Sequence, residues 1–429
     1  MVEKRVPLEI GEAVRRVMEF AVSGSKEMVS IDLAYGRVLA EDIKADQDVP
    51  AFDRSPYDGF AIRAEDTIKA NNENPSIFEV VGEIGAGSVF PNEVKPFQAV
   101  RIMTGAQIPK GCSAVVMLEL AKELKNEGKN FIEIKRSYQK GDNISFQGEE
   151  TLKGDILVKK GTIINPGIIA LLATFGYSQV PVAKKPVIGV IATGSELLDV
   201  NEALEPGKIR NSNSYMVLAQ IQKAGAIPKY LGKFSDDFDT CFSEVKNALE
   251  QVDILITTGG VSVGDYDYLP DIYDQLGASV LFNKIAMRPG SVTTVAQLNN
   301  KLLFGLSGNP SACYVGFELF VRPVIQTYLF NEAPHLKRVK AILGENYPKP
   351  NPFTRFVRGK LVYENAQITA IPAGFDKSSA VSSLAYTDAF IVLPGGTRKY
   401  EKGMVVDLLL IDDTEGSKWP WYDFVPSYK

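Results

Sequence analysis

At 429 residues the chain is too long for one shared core, and at roughly 150 residues per domain it should hold about three. Its 45% hydrophobic and 23% charged residues exclude disordered and fibrous classes, and its net charge of −5 excludes a global basic field for nucleic acid or an anionic membrane. A lone histidine, His335, excludes a histidine-built zinc site, and Cys112, Cys241 and Cys313, odd in number and in no C-x-x-C pair, point to a reducing, cytoplasmic setting.

The opening MVEKRVPLEIGEAVRRV lacks the apolar core of a signal peptide and predicts an amphipathic helix with Ile10, Val14, Val17 and Met18 on one face. Residues 28–142 alternate in short runs (EMVSIDL, IFEVVGEIG, QAVRIMTG, SAVVMLEL, FIEIKRS) between Gly and Pro, the pattern of a β-rich segment. The charged AKELKNEGKN between two of these runs reads as a solvated hairpin tip. Next come a loop, a short strand and a helix with Pro166 near N1 and Gly176 at its C-cap. That helix, about ten residues long, lies in the longest uncharged stretch and is too short to span a bilayer.

From Lys185 strands alternate with helices: PVIGVIATG, SNSYMVLAQIQKAG, IPKYLGKF, DFDTCFSEVKNALEQ, VDILITTGG, DYLPDIYDQLG, SVLFNKIAMR, SVTTVAQL, KLLFGLSG and NPSACYVGFELFVRPVIQTYL. The alternation predicts a three-layer α/β domain with a mostly parallel sheet. From Lys337 the runs RFVRGKLVY, AQITAIPA, AFIVLPGG and MVVDLLLID have no intervening helix and predict a closing β-barrel or sandwich.

In open α/β sheets ligands bind outside the carboxyl ends of the strands. The residues there are polar and glycine-rich: Thr193-Gly194-Ser195-Glu196, Ser235-Asp236-Asp237, Gly259 to Asp267, and Ser307-Gly308-Asn309-Pro310-Ser311. Gly259, Gly260 and the residues to Gly264, Ser262 among them, can aim several backbone N–H groups at one oxyanion; the alternative is an ordinary strand-to-helix turn. Asp265-Tyr266 stand where a Walker loop needs Lys and Ser/Thr. Alternation along an expected strand Phe282 to Arg288 puts Lys284 and Arg288 on one face, about 13 Å apart, to grip a pyrophosphate or to serve as solvated edge cations. Glu196, Asp236 and Asp267 are carboxylates suited to a Mg²⁺ shared with phosphate oxygens, with helix capping the alternative, strongest for Asp236. Gly260-Val261-Ser262-Val263-Gly264 also satisfies G-x-S-x-G, but His335 in NEAPHLKR reads as a solvated linker residue, which disfavours a serine hydrolase.

The ordered motifs SPYDGFAIR, RIMTGAQIP, ATGSEL, TTGGVSVGDYDY, KIAMRPG and LSGNPSA resemble those of the molybdenum insertases, the MoeA/gephyrin E-domain family of molybdopterin molybdotransferases, over nearly the whole chain. The resemblance implies an elongated homodimer with its active site between subunits and four domains per subunit: 1–27 with 143–182, a β-rich 28–142, an α/β 183–333 resembling molybdopterin adenylyltransferases, and a barrel 334–429. It implies insertion of molybdate into adenylylated molybdopterin with Mg²⁺-dependent release of AMP, and dealings with a molybdopterin adenylyltransferase and downstream cofactor-handling proteins. By motif it assigns Asp58 and Thr104 to the site from the second domain, Asp236, Asp267 and Glu196 as active-site carboxylates, and Ser262 as the glycine-loop serine. Lys284 and Arg288 become substrate-site cations, and Arg358, with Ser382 or Ser383, falls near the molybdate. Ser291-Val292 stand where the family often has Lys-Pro, Ser307 where it has Pro, and Ser145 where it has Arg, and a lost cation weakens an anion site unless another group compensates. Adenylylation of molybdopterin and a gephyrin-like scaffold are the competing functions; no long linker favours the scaffold.

Overall fold

The computed structural model describes residues 6–234, 238–259, 269–349, 352–396, 399–413 and 415–422. They divide into two bodies, one over 42–159 and 171–177, the other over the rest.

In the first body the alternating runs pair into a six-stranded sheet ordered Ala114–Met117, Gly59–Ile62, Gln98–Ile102, Ser76–Ile84, Lys129–Ile134, Lys122–Asn126. Period-two alternation sends Phe60, Ile62, Phe78, Val116, Ile132 and Ile134 into one core and Ala61, Ile84, Val100, Ile102 and Val115 into another. Glu127 and Gly128 both have positive φ, 47° and 80°, so the exposed charged stretch is a tight hairpin tip, as expected.

In the second body the central sheet runs Ile227–Phe234, Val187–Thr193, Ile254–Thr258, Lys301–Leu306, Thr294–Leu298, Ser279–Phe282. The first four strands are parallel, and Thr294–Leu298 is antiparallel to both of its neighbours. Ile188, Val190, Ile254, Ile256, Leu302 and Phe304 pack to one side with Val217 and Ile221 of the helix Ser212–Lys223. Ile191, Leu255 and Leu303 pack to the other with Val245 and Leu249 of the helix Phe238–Leu249. Both faces are thus covered, each fully buried aliphatic contributing about 1.5–3 kcal/mol. The helix Ile10–Met18 buries Ile10, Ala13, Val14 and Val17 on the same core, and strand Lys26–Ser30 pairs with Gln179–Ala183.

His335–Leu343, Thr354–Glu364, Gln367–Pro372, Ala389–Leu393 and Val405–Leu410 close on themselves: each strand finds two neighbours, and Thr354–Glu364 bonds Ala389–Leu393 to complete a barrel. Leu343, Val357, Ala370, Ile391 and Leu408 fill one of its cores, while Phe356, Phe390, Val392 and Leu409 join the α/β core.

Two expectations change. Phe282 to Arg288 is not one strand: Ser279–Phe282 ends in the α/β sheet, Ile285 bridges to Leu8, and Met287–Arg288 pairs in parallel with Thr354 and Arg355 of the barrel sheet. His335 is not a solvated linker residue. It is 2% exposed, begins a barrel strand in register with Ser417, and packs edge-on against Trp419 and Trp421.

Candidate functional site

The carboxyl ends of the parallel strands come together through their glycines. Gly259 has φ 95°, and a Cβ on it would stand 2.7 Å from the Thr193 carbonyl oxygen and 3.0 Å from Thr193 Oγ1. Its N–H donates to the Leu306 carbonyl at 3.0 Å, and a Cβ on Gly308 would touch the Gly259 Cα at 3.7 Å. Three strand ends therefore meet backbone to backbone, and at Gly259 the spacing is one that only glycine permits. Asn309 opens the helix Pro310–Gly316 with extended backbone and Pro310 in the first turn.

Glu196 folds back over this rim. Gly194 has φ 137°, and its missing Cβ would lie 2.5 and 2.8 Å from the Glu196 carboxylate oxygens. The carboxylate has no hydrogen-bond or ion-pair partner among the described residues, an oxygen donor of the kind Mg²⁺ takes. Its backbone is fixed: Ile209 N–H donates to the Glu196 carbonyl at 2.9 Å, and Lys208 Nζ to the Ser195 carbonyl at 2.6 Å. Asp236, Asp267, Gly260 and Ser262 lie outside the described residues. Asn213, which sequence reasoning passed over as one more helical residue, donates from Nδ2 to the Gly308 carbonyl at 2.8 Å and ties the helix Ser212–Lys223 to the rim. The run Asn211-Ser212-Asn213, spanning the N-cap and first turn of that helix, was its available signal.

A second cluster lies where the α/β sheet meets the barrel. The turn after Arg288 reaches the helix of Pro310: a Cβ on Gly290 would stand 3.4 Å from the Ala312 carbonyl. Ser311 is fully buried; its N–H donates to the Ser378 carbonyl at 3.0 Å and its hydroxyl to that of Ala380 at 2.6 Å. Ser311 thus clasps the barrel loop. The same loop engages Arg358, which is 2% exposed. Arg358 Nη1 stands 2.8 Å from Asp376 Oδ1, Nη2 donates to the carbonyls of Phe375 and Lys377 at 3.2 and 3.3 Å, and Nε approaches Ser383 Oγ at 3.4 Å. Burial lowers the Arg358 pKa from its ordinary value and the Asp376 carboxylate opposes the shift. Arg288 is exposed and Lys284 half-buried, and the side chain of neither has a hydrogen-bond or ion-pair partner among the described residues. Asp376 is the carboxylate that the sequence reading missed.

Asp58 and Thr104 lie in the other body and meet each other. Asp58 Oδ1 accepts from the Thr104 N–H at 2.7 Å and from its hydroxyl at 2.9 Å. The backbone donor first, then the hydroxyl, lowers the Asp58 pKa, so it is a carboxylate at neutral pH. Gly59 follows because a Cβ there would stand 1.9 Å from the Val116 carbonyl oxygen.

Three family models match along the chain in order: MoeA N-terminal region (domain I and II) over 8–176, probable molybdopterin binding domain over 189–327, and MoeA C-terminal region (domain IV) over 340–411. Over 421 residues the sequence is 62% identical to the molybdopterin molybdenumtransferase of Bacillus subtilis (strain 168), covering 98% of each chain. The chain belongs to the MoeA family of molybdopterin molybdenumtransferases. It is accordingly a transferase of molybdenum cofactor biosynthesis. The molybdopterin molybdenumtransferase of Staphylococcus aureus (strain MSSA476) is 50% identical over 412 residues, 96% of this chain and 97% of its own. Two crystal structures of the molybdopterin biosynthesis moeA protein from Pyrococcus horikoshii superpose with TM-scores of 0.83 and 0.79 at 29% and 32% identity, each covering 95% of this chain and 99% or 100% of its own. The MoeA architecture of N-terminal β regions, central α/β domain and C-terminal barrel is the one expected. Among the described residues no helix is long and apolar enough to cross a membrane.

Proposed function

We propose that the chain places molybdate on adenylylated molybdopterin and cleaves the phosphoanhydride with release of AMP, the strand-end rim holding the phosphates. The observation that carries this reading is the Glu196 carboxylate, which has no partner among the described residues and lies against Gly194 at the end of strand Val187–Thr193. A carboxylate at the carboxyl end of a parallel strand, where ligands of such sheets bind, suits a metal held together with phosphate. Mg²⁺ held by Glu196 with Asp236 and Asp267 would neutralise charge on the phosphoanhydride oxygens. The chain's own part is positioning: Thr193, Gly194, Ser195 and Gly259 would face the phosphates, with Gly308, Asn309 and Pro310 beside them, and the sequence motif assigns Gly260 and Ser262 to the same task. Lys284 and Arg288 add positive charge, and Arg358 with Ser383 orders the pocket for the incoming molybdate. Ionised Asp58, held by Thr104, would complete the site from a second subunit of a homodimer. A cytoplasmic setting and hand-over from a molybdopterin adenylyltransferase to cofactor-handling proteins complete the reading; the three cysteines, none of them in a disulfide among the described residues, suit a reducing compartment.

The test is anaerobic incubation with adenylylated molybdopterin, following AMP. Release should require both molybdate and Mg²⁺. Consumption of ATP with free molybdopterin, and no AMP from the adenylylated substrate, would replace insertion by adenylylation.

A further inference from the structure

The cluster between the α/β sheet and the barrel carries more positive charge than its own residues neutralise. Arg288 stands in register with Arg355 on the neighbouring strand, and like charges side by side in a sheet repel. Arg358 follows on the same strand, and Lys349 lies 3.8 Å from the same carboxylate that the arginines use. That carboxylate is Asp376, 8% exposed, which takes Arg358 Nη1 at 2.8 Å, Arg355 Nη1 at 3.3 Å and the Tyr347 hydroxyl. Three cations thus face one carboxylate, and Arg288 adds a further positive charge in register beside Arg355.

Arg355 is the member with unused capacity. Its side chain is 14% exposed and its guanidinium lies 5.6 Å from the Tyr347 ring centroid. Its Nε is buried with no hydrogen-bond partner among the described residues, an arrangement that is costly for a charged donor unless an acceptor arrives. Asp376 holds Nη1, leaving the Nε edge of the fork, the edge that grips an oxyanion in two parallel hydrogen bonds. We propose that Arg355 is a further oxyanion-binding residue of this pocket, and that Asp376 fixes its orientation while setting the pocket's net charge. The ligand is a tetrahedral dianion, molybdate. The inference rests on the insertion reading of the pocket and adds to it the cation that Ser291 does not supply.

Charge and packing roles separate by sign. Arg355→Gln and Asp376→Asn both break the same ion pair, so a merely structural pair moves molybdate affinity in one direction for both. An anion site moves it in opposite directions. Molybdate, and inorganic phosphate in a parallel arm, would be titrated calorimetrically into the full chain, with melting curves for each variant. Arg355→Gln should weaken molybdate about tenfold, and Asp376→Asn should tighten it about three- to tenfold, the change a unit charge makes a few ångströms from a dianion. Arg355→Lys keeps charge without the fork and should fall between wild type and Arg355→Gln, which decides the matter alone if Asp376→Asn does not fold. Equal affinities across the arginine series, loss in both Arg355→Gln and Asp376→Asn, or a response to phosphate but not molybdate would overturn the proposal. Wild type that binds no molybdate would instead sink the insertion reading of the pocket, and this inference with it.

Discussion

His335 is the sole histidine of the chain, and its burial makes it a reporter of acid stability. Desolvation first, then the charge of Arg322, lowers its pKa from 6.5 to about 4. The unfolded chain takes up that proton near 6.5, so between there and about pH 4 the unfolded state binds more protons and is favoured. This contribution to stability is fully present above pH 6.5 and is lost as pH falls through the window, by up to about 3 kcal/mol. His335→Gln should flatten the fall of melting temperature between pH 6.5 and 4 relative to wild type. Carboxylates titrate at the acid end in both proteins, so the difference between the two curves is the measurement. An imidazole NMR titration near 6.5 in the folded protein, or parallel curves for the pair, would refute the burial account. The sequence hid this residue for a definite reason: Asn-Glu-Ala-Pro before it reads locally as a linker. What buries it is a register with Ser417, far along the chain, which no local pattern reports.

The strand ends show what periodicity can and cannot tell. Strands such as Val187–Thr193 and Ile254–Thr258 were legible because both of their faces are apolar, and once placed they located Thr193, Gly194 and Gly259 without further information. The run Phe282 to Arg288 was misread because an apolar segment keeps its alternation while passing from one sheet to another; pattern specifies burial, not which sheet supplies it. Asn213 and Asp376 were missed for a related reason, since their roles depend on the Gly308 carbonyl and on Arg355 and Arg358, partners distant in sequence. The glycine turn itself makes a firm prediction. Gly259→Ala forces a Cβ to within 2.7 Å of the Thr193 carbonyl at a φ of 95°. A left-handed non-glycine residue alone costs on the order of 1–3 kcal/mol, and the clash must also push two strand ends apart. Melting temperature should fall by several degrees and AMP release by at least tenfold. Wild-type values for both would mean that the rim tolerates separation and that its backbone does not hold the phosphates.

At the scale of the whole molecule, six short motifs in order disclose the family, and the pairing of Asp58 with the strand-end rim is a property that mixed dimers can test. Asp58 and Thr104 form their own hydrogen-bonded unit in the body of residues 42–159 and 171–177. Thr193, Gly194, Glu196 and Gly259 belong to the other body. In the homodimer we propose, the first unit of one subunit serves the rim of its partner, and genetics on mixed dimers can decide it. Thr104→Ala removes a donor that holds Asp58, and Asp267→Asn removes a charge that the sequence motif assigns to the site, with little change of size. Each should be inactive as a homodimer. Mixed and allowed to reassort, about half of the dimers carry one subunit of each kind. In such a dimer both lesions fall on one composite site and the other is intact, so activity should approach about a quarter of wild type. A site built within one chain gives the opposite result, because every subunit then carries its own lesion. No recovery, with heterodimers demonstrated by differential tagging, would therefore place Asp58 over the rim of its own subunit.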